Sequence, residues 1–213
     1  MSGITYFLKV DGIQGDAQGK GVEGYFAIDE FTFTELTRLA SGGGGGGAGR
    51  AQFDPLMVDI ATLSPGLVAL LKALAAGTHI KTVELVGMRS VGDGGLQKVY
   101  DLTLSDVTVA GLAADGGHDT AIACDYRKVT ETIRAHHPDG TLDPSRTVSF
   151  DLAKGGGTIT PVGHNALTRF AHSHDGAALK YLLKVDGVTG DSTIKGYEGY
   201  FTVDEFTFNA LTR

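Results

Sequence analysis

Three groups of residues in this chain are of types that do chemistry. The first is SGGGGGGAGR, Ser41 to Arg50, which could be a flexible linker between domains, a phosphate-cradling loop or a featureless part of one fold. A P-loop, however, needs G-x-x-x-x-G-K-[ST] between a strand and a helix, and here Arg50 is followed by Ala51, Gln52 and Phe53 of a strand. The second group is histidine: His164, His172 and His174 with Asp175, and His136-His137 beside the turn Pro138-Asp139-Gly140. Zinc wants three or four convergent ligands on fixed elements, so histidines in turn-rich sequence read as solvated and no metal is expected. The third group is Cys124 and the adjacent carboxylates Asp29-Glu30 and Asp204-Glu205. A reactive thiol needs a base and partial exposure, whereas Cys124 shares a strand face with Ile122 and Tyr126 and reads as core. Adjacent carboxylates on a regular strand point to opposite faces and make no acid–base pair. No G-x-S-x-G or H-E-x-x-H arrangement occurs. No catalytic residue and no cofactor is expected, and the chain does not read as an enzyme.

The elements that would position these residues are mostly strands. In TYFLKVDG, Tyr6, Leu8 and Val10 alternate with Lys9 and Asp11, the period of a half-buried strand. GYFAIDEFTF puts Phe26 and Ile28 in one phase and Phe31 and Phe33 in the other, which predicts a β-bulge at Asp29-Glu30. Further strands are expected over residues 78–90, 96–112, 118–133 and 147–152, with another over Gln52–Ile60. The 96–112 strand slips phase between Leu104 and Val107. SPGLVALLKALAAG is different: Leu67, Leu70, Leu71 and Leu74 form one helical stripe, with Ser64 as N-cap, Pro65 first in the helix and Gly77 closing it. The fold class expected is mainly β, a compact barrel or sandwich of long antiparallel strands with one α-helix at its side.

Bulk composition narrows the partners. The net charge of −7 excludes a general nucleic-acid binder, since no basic cluster is available to neutralise phosphates. No apolar stretch approaches the ~20 residues that span a bilayer, and the N-terminus has no signal-peptide pattern. A single cysteine allows no intrachain disulfide and fits a reducing cytoplasm.

The chain also repeats itself. TYFLKVDGIQGDAQGKGVEGYFAIDEFTFTELTR, Thr5 to Arg38, recurs at an offset of 175 as KYLLKVDGVTGDSTIKGYEGYFTVDEFTFNALTR, Lys180 to Arg213. The organisation expected is a barrel domain over 1–152, a linker over 153–178, and over 179–213 the opening strand pair of a truncated second copy. An isolated hairpin is marginal in water, so this pair should seek a sheet. It has three options: competing for the slot of residues 5–38, adding to a neighbouring subunit, or protruding with Phe201, Phe206 and Phe208 exposed. The linker, fully extended, would reach roughly 86 Å.

In order along residues 5–152, YFLKVDGIQGDAQGKGVEGYFAIDEFTF, GGGGGGAGRAQFDPLMVDI, SPGLVALLKALAAGTHIKTVELVG, VYDLTLSDVTV and AIACDYRKVTETI resemble the haemolysin-coregulated protein (Hcp) family. That family forms the inner tube of bacterial type VI secretion systems. The chain departs from it at Val22 and Tyr197, where the family often has His, and at Phe31 and Phe33, where it often has Trp. The resemblance implies a β-barrel subunit that forms six-membered rings stacking into a hollow tube. Its partners would be further copies of itself and the sheath, spike and effector proteins, with no nucleic acid and no membrane insertion. The subunit would be cytoplasmic before assembly and then secreted through the apparatus without a signal peptide. The glycine loop, Gly42, Gly43, Gly44, Gly45, Gly46, Gly47, Gly49 and Arg50, together with Asp54, would meet the neighbouring ring. A non-tube β-barrel adaptor for secreted effectors is the alternative. A tube–hydrolase fusion is disfavoured because the domain is followed by its own opening sequence.

Overall fold

The computed structural model describes residues 3–37, 51–91, 95–115, 120–135, 137, 140–155, 158–159, 181–203 and 207–211. In chain order its elements are β1 (Ile4–Val10), β2 (Phe26–Thr32), β3 (Glu35–Thr37), β4 (Ala51–Phe53), β5 (Leu56–Ile60), α1 (Gly66–Ala76), β6 (Ile80–Ser90), β7 (Leu96–Asp115), β8 (Thr120–Ile133), β9 (Arg146–Asp151), α2 (Leu152–Gly155), β10 (Thr158–Ile159), β11 (Tyr181–Leu183), β12 (Phe201–Val203) and β13 (Thr207–Leu211). The order β7-β6-β1-β2-β5-β8 closes on itself because β8 also pairs with β7, giving a six-stranded antiparallel barrel. The mainly β architecture with a side helix is therefore what the alternation pattern anticipated.

The barrel interior collects one phase of each strand. Leu8, Phe26, Leu56, Val58, Leu85, Leu102, Leu104 and Ile122 are all fully buried there, each contributing on the order of 1.5–3 kcal/mol relative to exposure. The anticipated bulge falls between Ile28 and Glu30, where the β2–β5 register shifts. Both Asp29 and Glu30 end up facing solvent, so their carboxylates are not split across the sheet as a regular strand would require. The phase slip in β7 centres on Asp106, which adopts φ +53°. It involves no register change, because Leu104↔Val129 and Val107↔Tyr126 stay on one diagonal. The burial phase of β8 slips at the same place, with Arg127 and Lys128 both exposed between buried Tyr126 and Val129.

Two expectations need correction. Gln52–Ile60 is not one strand: Pro55 has no N–H to give the ladder, and the chain breaks into β4 and β5 around Asp54-Pro55. The helix starts one residue later than anticipated. Pro65 takes the N-cap position in αR geometry, while Ser64 Oγ accepts from the Gly66 N–H at 3.2 Å. Its C-terminus closes as expected, with Gly77 left-handed at φ 59°, Gly77 N–H bonded to Leu74 O and Thr78 N–H to Ala73 O. That pair of bonds is a Schellman motif. Leu70 and Leu74 are buried against the barrel, and Leu67 and Leu71 pack at the margin.

The described part of 153–178 carries some structure at its start. Asp151 Oδ1 accepts from the Ala153 and Lys154 N–H groups at 3.1 and 3.3 Å, capping α2, and β10 then pairs parallel with β4. Further along, the copied sequence reproduces the copied geometry. Tyr181↔Val203, Leu182↔Thr202 and Leu183↔Phe201 repeat Tyr6↔Ile28, Phe7↔Ala27 and Leu8↔Phe26 at the 175-residue offset. The loop bonds Gly15 N–H to Gly24 O and Ala17 N–H to Tyr25 O recur as Gly190 to Gly199 and Ser192 to Tyr200. Lys9 lies over the Tyr25 ring at 5.4 Å, and Lys184 over Tyr200 at 5.5 Å.

Candidate subunit interface

The glycine loop, Gly42 to Gly47, Gly49 and Arg50, lies outside the described residues. Its stems are described. Glu35↔Phe53, Leu36↔Gln52 and Thr37↔Ala51 pair antiparallel, so residues 38–50 connect two hydrogen-bonded strands of one domain. This is a hairpin connection, and neither a linker nor a strand-to-helix phosphate loop. Asp54, at the foot of the stem, is half-buried. Its N–H donates to Thr34 O at 3.0 Å, and Tyr126 Oη donates to its carbonyl at 3.3 Å. The stem rests on an aromatic group in which the Phe53 and Phe150 rings lie 5.0 Å apart.

The loop over residues 11–25 covers part of the outer barrel face. Val22 is 1% exposed and packs with Val86 and Met88, flanked by Phe7, Ala17 and Tyr25. Beside it Lys98 Nζ lies 2.8 Å from Glu84 Oε1 and 2.7 Å from Asp101 Oδ2, and Thr103 Oγ1 donates to Asp101 at 2.9 Å. Burial alone would lower the Lys98 pKa, but the hydrogen bonds to Asp101 and Glu84 outweigh it and hold the ammonium above its ordinary range. Burial, reinforced by the Glu84 carboxylate, raises Tyr25. This network joins residues from different strands, so no local spacing announced it.

Cys124 is 1% exposed and its thiol is pushed up to about 12 by burial, then by Asp125. It is a core residue. Burial also raises Asp125, whose Oδ1 finds no hydrogen-bond partner among the described residues. His137 Nε2 sits 2.7 Å from Asp143 Oδ1, and His79 Nδ1 sits 2.9 Å from Asp106 Oδ1, each an exposed pair. His164, His172, His174, Asp175 and His136 lie outside the described residues. A shallow cleft of about 430 Å³ runs between α1 and the Asp11–Ile13 turn, rimmed by Lys72, His79 and Lys81.

What remains is backbone available for pairing. On the β1 side, β2 is accompanied only as far as Ile28, and among the described residues no strand follows along residues 30–37. On β7, the β6 edge is used only up to Val107. Beyond it, Gly111–Asp115 pair instead with β13, with Thr207↔Asp115 at one end and Leu211↔Gly111 at the other. Sequence reasoning did not locate this edge. The signal was the length of β7, which exceeds what β6 can cover.

Comparison with known proteins agrees with this architecture. The family model described as "Type VI secretion system effector, Hcp" matches residues 7–133. No curated protein sequence matches. Among solved structures, one described as a type six secretion system protein superposes with a TM-score of 0.64 at 18% identity, covering 71% of this chain and 98% of that one. Hcp1 from Salmonella typhimurium gives 0.57 at 18% identity, over 72% of this chain and 97% of its own. A type VI secretion system effector from Yersinia pestis gives 0.52 at 15% identity, over 68% and 98%. At such identities the likeness establishes the fold.

Proposed function

The chain belongs to the Hcp family of type VI secretion proteins, and from that premise we propose that it is a structural subunit of the secretion tube, forming six-membered rings that stack around a hollow lumen. The observation that carries the reading is the family match over 7–133, which takes in β2, β5, β6, β7 and β8 of the closed barrel whole and β1 from Phe7 onward. The role is mechanical: self-association, stacking, engagement of sheath and spike, and carriage of small effectors in the lumen. The subunit is made in the cytoplasm and leaves through the apparatus. No described helix is long and apolar enough to cross a membrane.

In this reading residues 1–152 are the tube domain, 153–178 a connection, and 179–213 the opening of a second copy. The glycine loop and Asp54 meet the adjacent ring, as the family resemblance implies for the connection between the paired strands β3 and β4. Cys124 is buried in the barrel core and the two His–Asp pairs are exposed at its surface. Negative-stain microscopy with light scattering tests the proposal. Rings with a central hole are expected. Monomers alone across a wide concentration range would overturn it in favour of a β-barrel adaptor.

A further inference from the structure

The second copy keeps the internal geometry of the first but not its address. In the first copy, residues 32–36 run from the end of β2 into β3, against β5 and β4. The equivalent residues, 207–211, form β13 and join β7. Residues 4–37 keep their own pairings, so the second copy does not compete for that slot. It fills the stretch of β7 edge that β6 leaves bare. An open edge carries unpaired N–H and C=O groups and is a template for another strand.

We infer that the β7 edge at Gly111–Asp115 is the surface on which one copy of this chain receives the Thr32–Leu36 segment of the next, and that Thr207–Leu211 occupies it in cis. This rests on the reading of the chain as a ring-forming subunit. The occupant is identified by the repeat itself. Thr207, Phe208 and Leu211 are the same residues as Thr32, Phe33 and Leu36, and only Thr34/Asn209 and Glu35/Ala210 differ. A backbone that accepts one segment in antiparallel register accepts its twin. The twin is also free to serve, because residues 30–37 have one edge on β5 and β4 and the other without a described strand.

Each copy thus offers one receiving edge, on β7, and one donating edge, past the β2 bulge. They are different surfaces of the same molecule. A contact between them is heterologous, the kind that closes into a ring when the rotation permits and otherwise grows as a filament. The second copy seated on β7 stands where the next subunit would stand. Because it is tethered, it competes at an effective concentration on the order of millimolar. Assembly then requires either its displacement or its acting as the neighbour.

Paired cysteines in the full chain read this directly. Residues opposite one another in an antiparallel pair have Cα atoms about 4.5–5.5 Å apart, within disulfide range, and Cys124 is buried out of reach. D115C with T207C should form a disulfide within one chain, migrating as monomer on a non-reducing gel. D115C with T32C should stay uncrosslinked while β13 is in place. Adding Asn209→Pro, which removes an N–H from β13 and leaves the barrel untouched, should bring up a ladder of interchain D115C–T32C products. It should also lower the concentration at which scattering detects assembly by about tenfold or more. Circular dichroism of the Asn209→Pro chain checks that the barrel still melts cooperatively. The cis assignment is overturned if D115C/T207C links only between chains or not at all. Rings in the microscope without D115C–T32C linkage in the proline variant would sink this inference and leave the tube reading standing. Neither rings nor linkage would sink both.

Discussion

Val22 and Tyr197 occupy the same position in two copies of one loop, yet Val22 is 1% exposed and Tyr197 is 50% exposed. Most of the loop's own backbone hydrogen bonds recur in both, among them Val22 N–H to Gly19 O and Tyr197 N–H to Ile194 O, so the main difference is the surface beneath it. Val86 and Met88 of β6 receive Val22. Leu183, the twin of the buried Leu8, is likewise largely exposed. The same local sequence folds alike twice and is buried only once.

That difference should be measurable. Val22→Ala removes two buried carbons from a packed contact and is expected to cost about 2 kcal/mol in urea denaturation. Tyr197→Ala, an exposed change, should stay within about 0.5 kcal/mol. Equal effects would mean that the second loop is covered by something comparable to β6.

The Tyr25–Glu84–Lys98–Asp101 network should contribute to the alkaline limit of stability, beside the buried Cys124 thiol. Both Tyr25 and Lys98 hold their protons more tightly when folded than at their ordinary values of 10.0 and 10.5. Their contribution is then complete below those values and is lost as pH rises through the raised folded ones. A pH series of thermal melts should be flat on the lower side of 9, begin to fall there because the Cys124 thiol is raised from 9.0 to about 12, and fall more steeply above 10 as Tyr25 and Lys98 add their share. Lys98 is partly exposed, so Lys98→Met should cost only about 1 kcal/mol at neutral pH. A fall that begins well below pH 9 would contradict the assignment.

Cys124 should be inert in the native chain. With the thiol at about 12, its thiolate fraction at pH 8 is roughly a thousandfold below that of an ordinary cysteine, and burial reduces access further. Iodoacetamide should label it only after denaturation, and mass spectrometry of intact protein reads the difference. Rapid native labelling would show that the β7–β8 pair opens around Val109↔Cys124.

The barrel was legible because alternation survives burial. Leu8 and Val10, or Leu102 and Leu104, announce their face whatever they pack against. The bulge at Asp29-Glu30 was legible for the same reason, since a phase change in the pattern is a phase change in the strand. Pro55 was a visible strand-breaker whose weight the surrounding apolar residues masked. The receiving edge on β7 was not legible. It exists because β7 outruns β6, and relative strand length is a property of the closed sheet rather than of either segment. The salt-bridge network shares that character: Glu84 and Lys98 meet only through the β6–β7 register. The address of the second copy was hidden too, because its sequence specifies the hairpin and the available edge is supplied elsewhere.

Gly66 shows how closely the helix is set on the barrel. A Cβ on Gly66 would run into the Gln14 carbonyl and sit 2.6 Å from Phe26 Cζ. Phe26 is fully buried and Gln14 belongs to the covering loop, so neither can give way without moving the β1–β2 connection or the core. In a free helix Gly→Ala would stabilise by about 1 kcal/mol, but here overpacking of a fixed contact, typically 1–3 kcal/mol, opposes it. Gly66→Ala is therefore expected to destabilise by about 1–2 kcal/mol net, read as a lower denaturation midpoint. Gly77→Ala should be destabilising for a different reason. Its neighbourhood is open but its φ of 59° is left-handed, so the cost is backbone strain of about 1 kcal/mol. Substituting Asn at position 77, which tolerates that conformation, should recover much of the loss, whereas Asn at 66 should recover none. Rescue at both positions would show that backbone conformation, and not contact with Phe26, fixes the start of the helix.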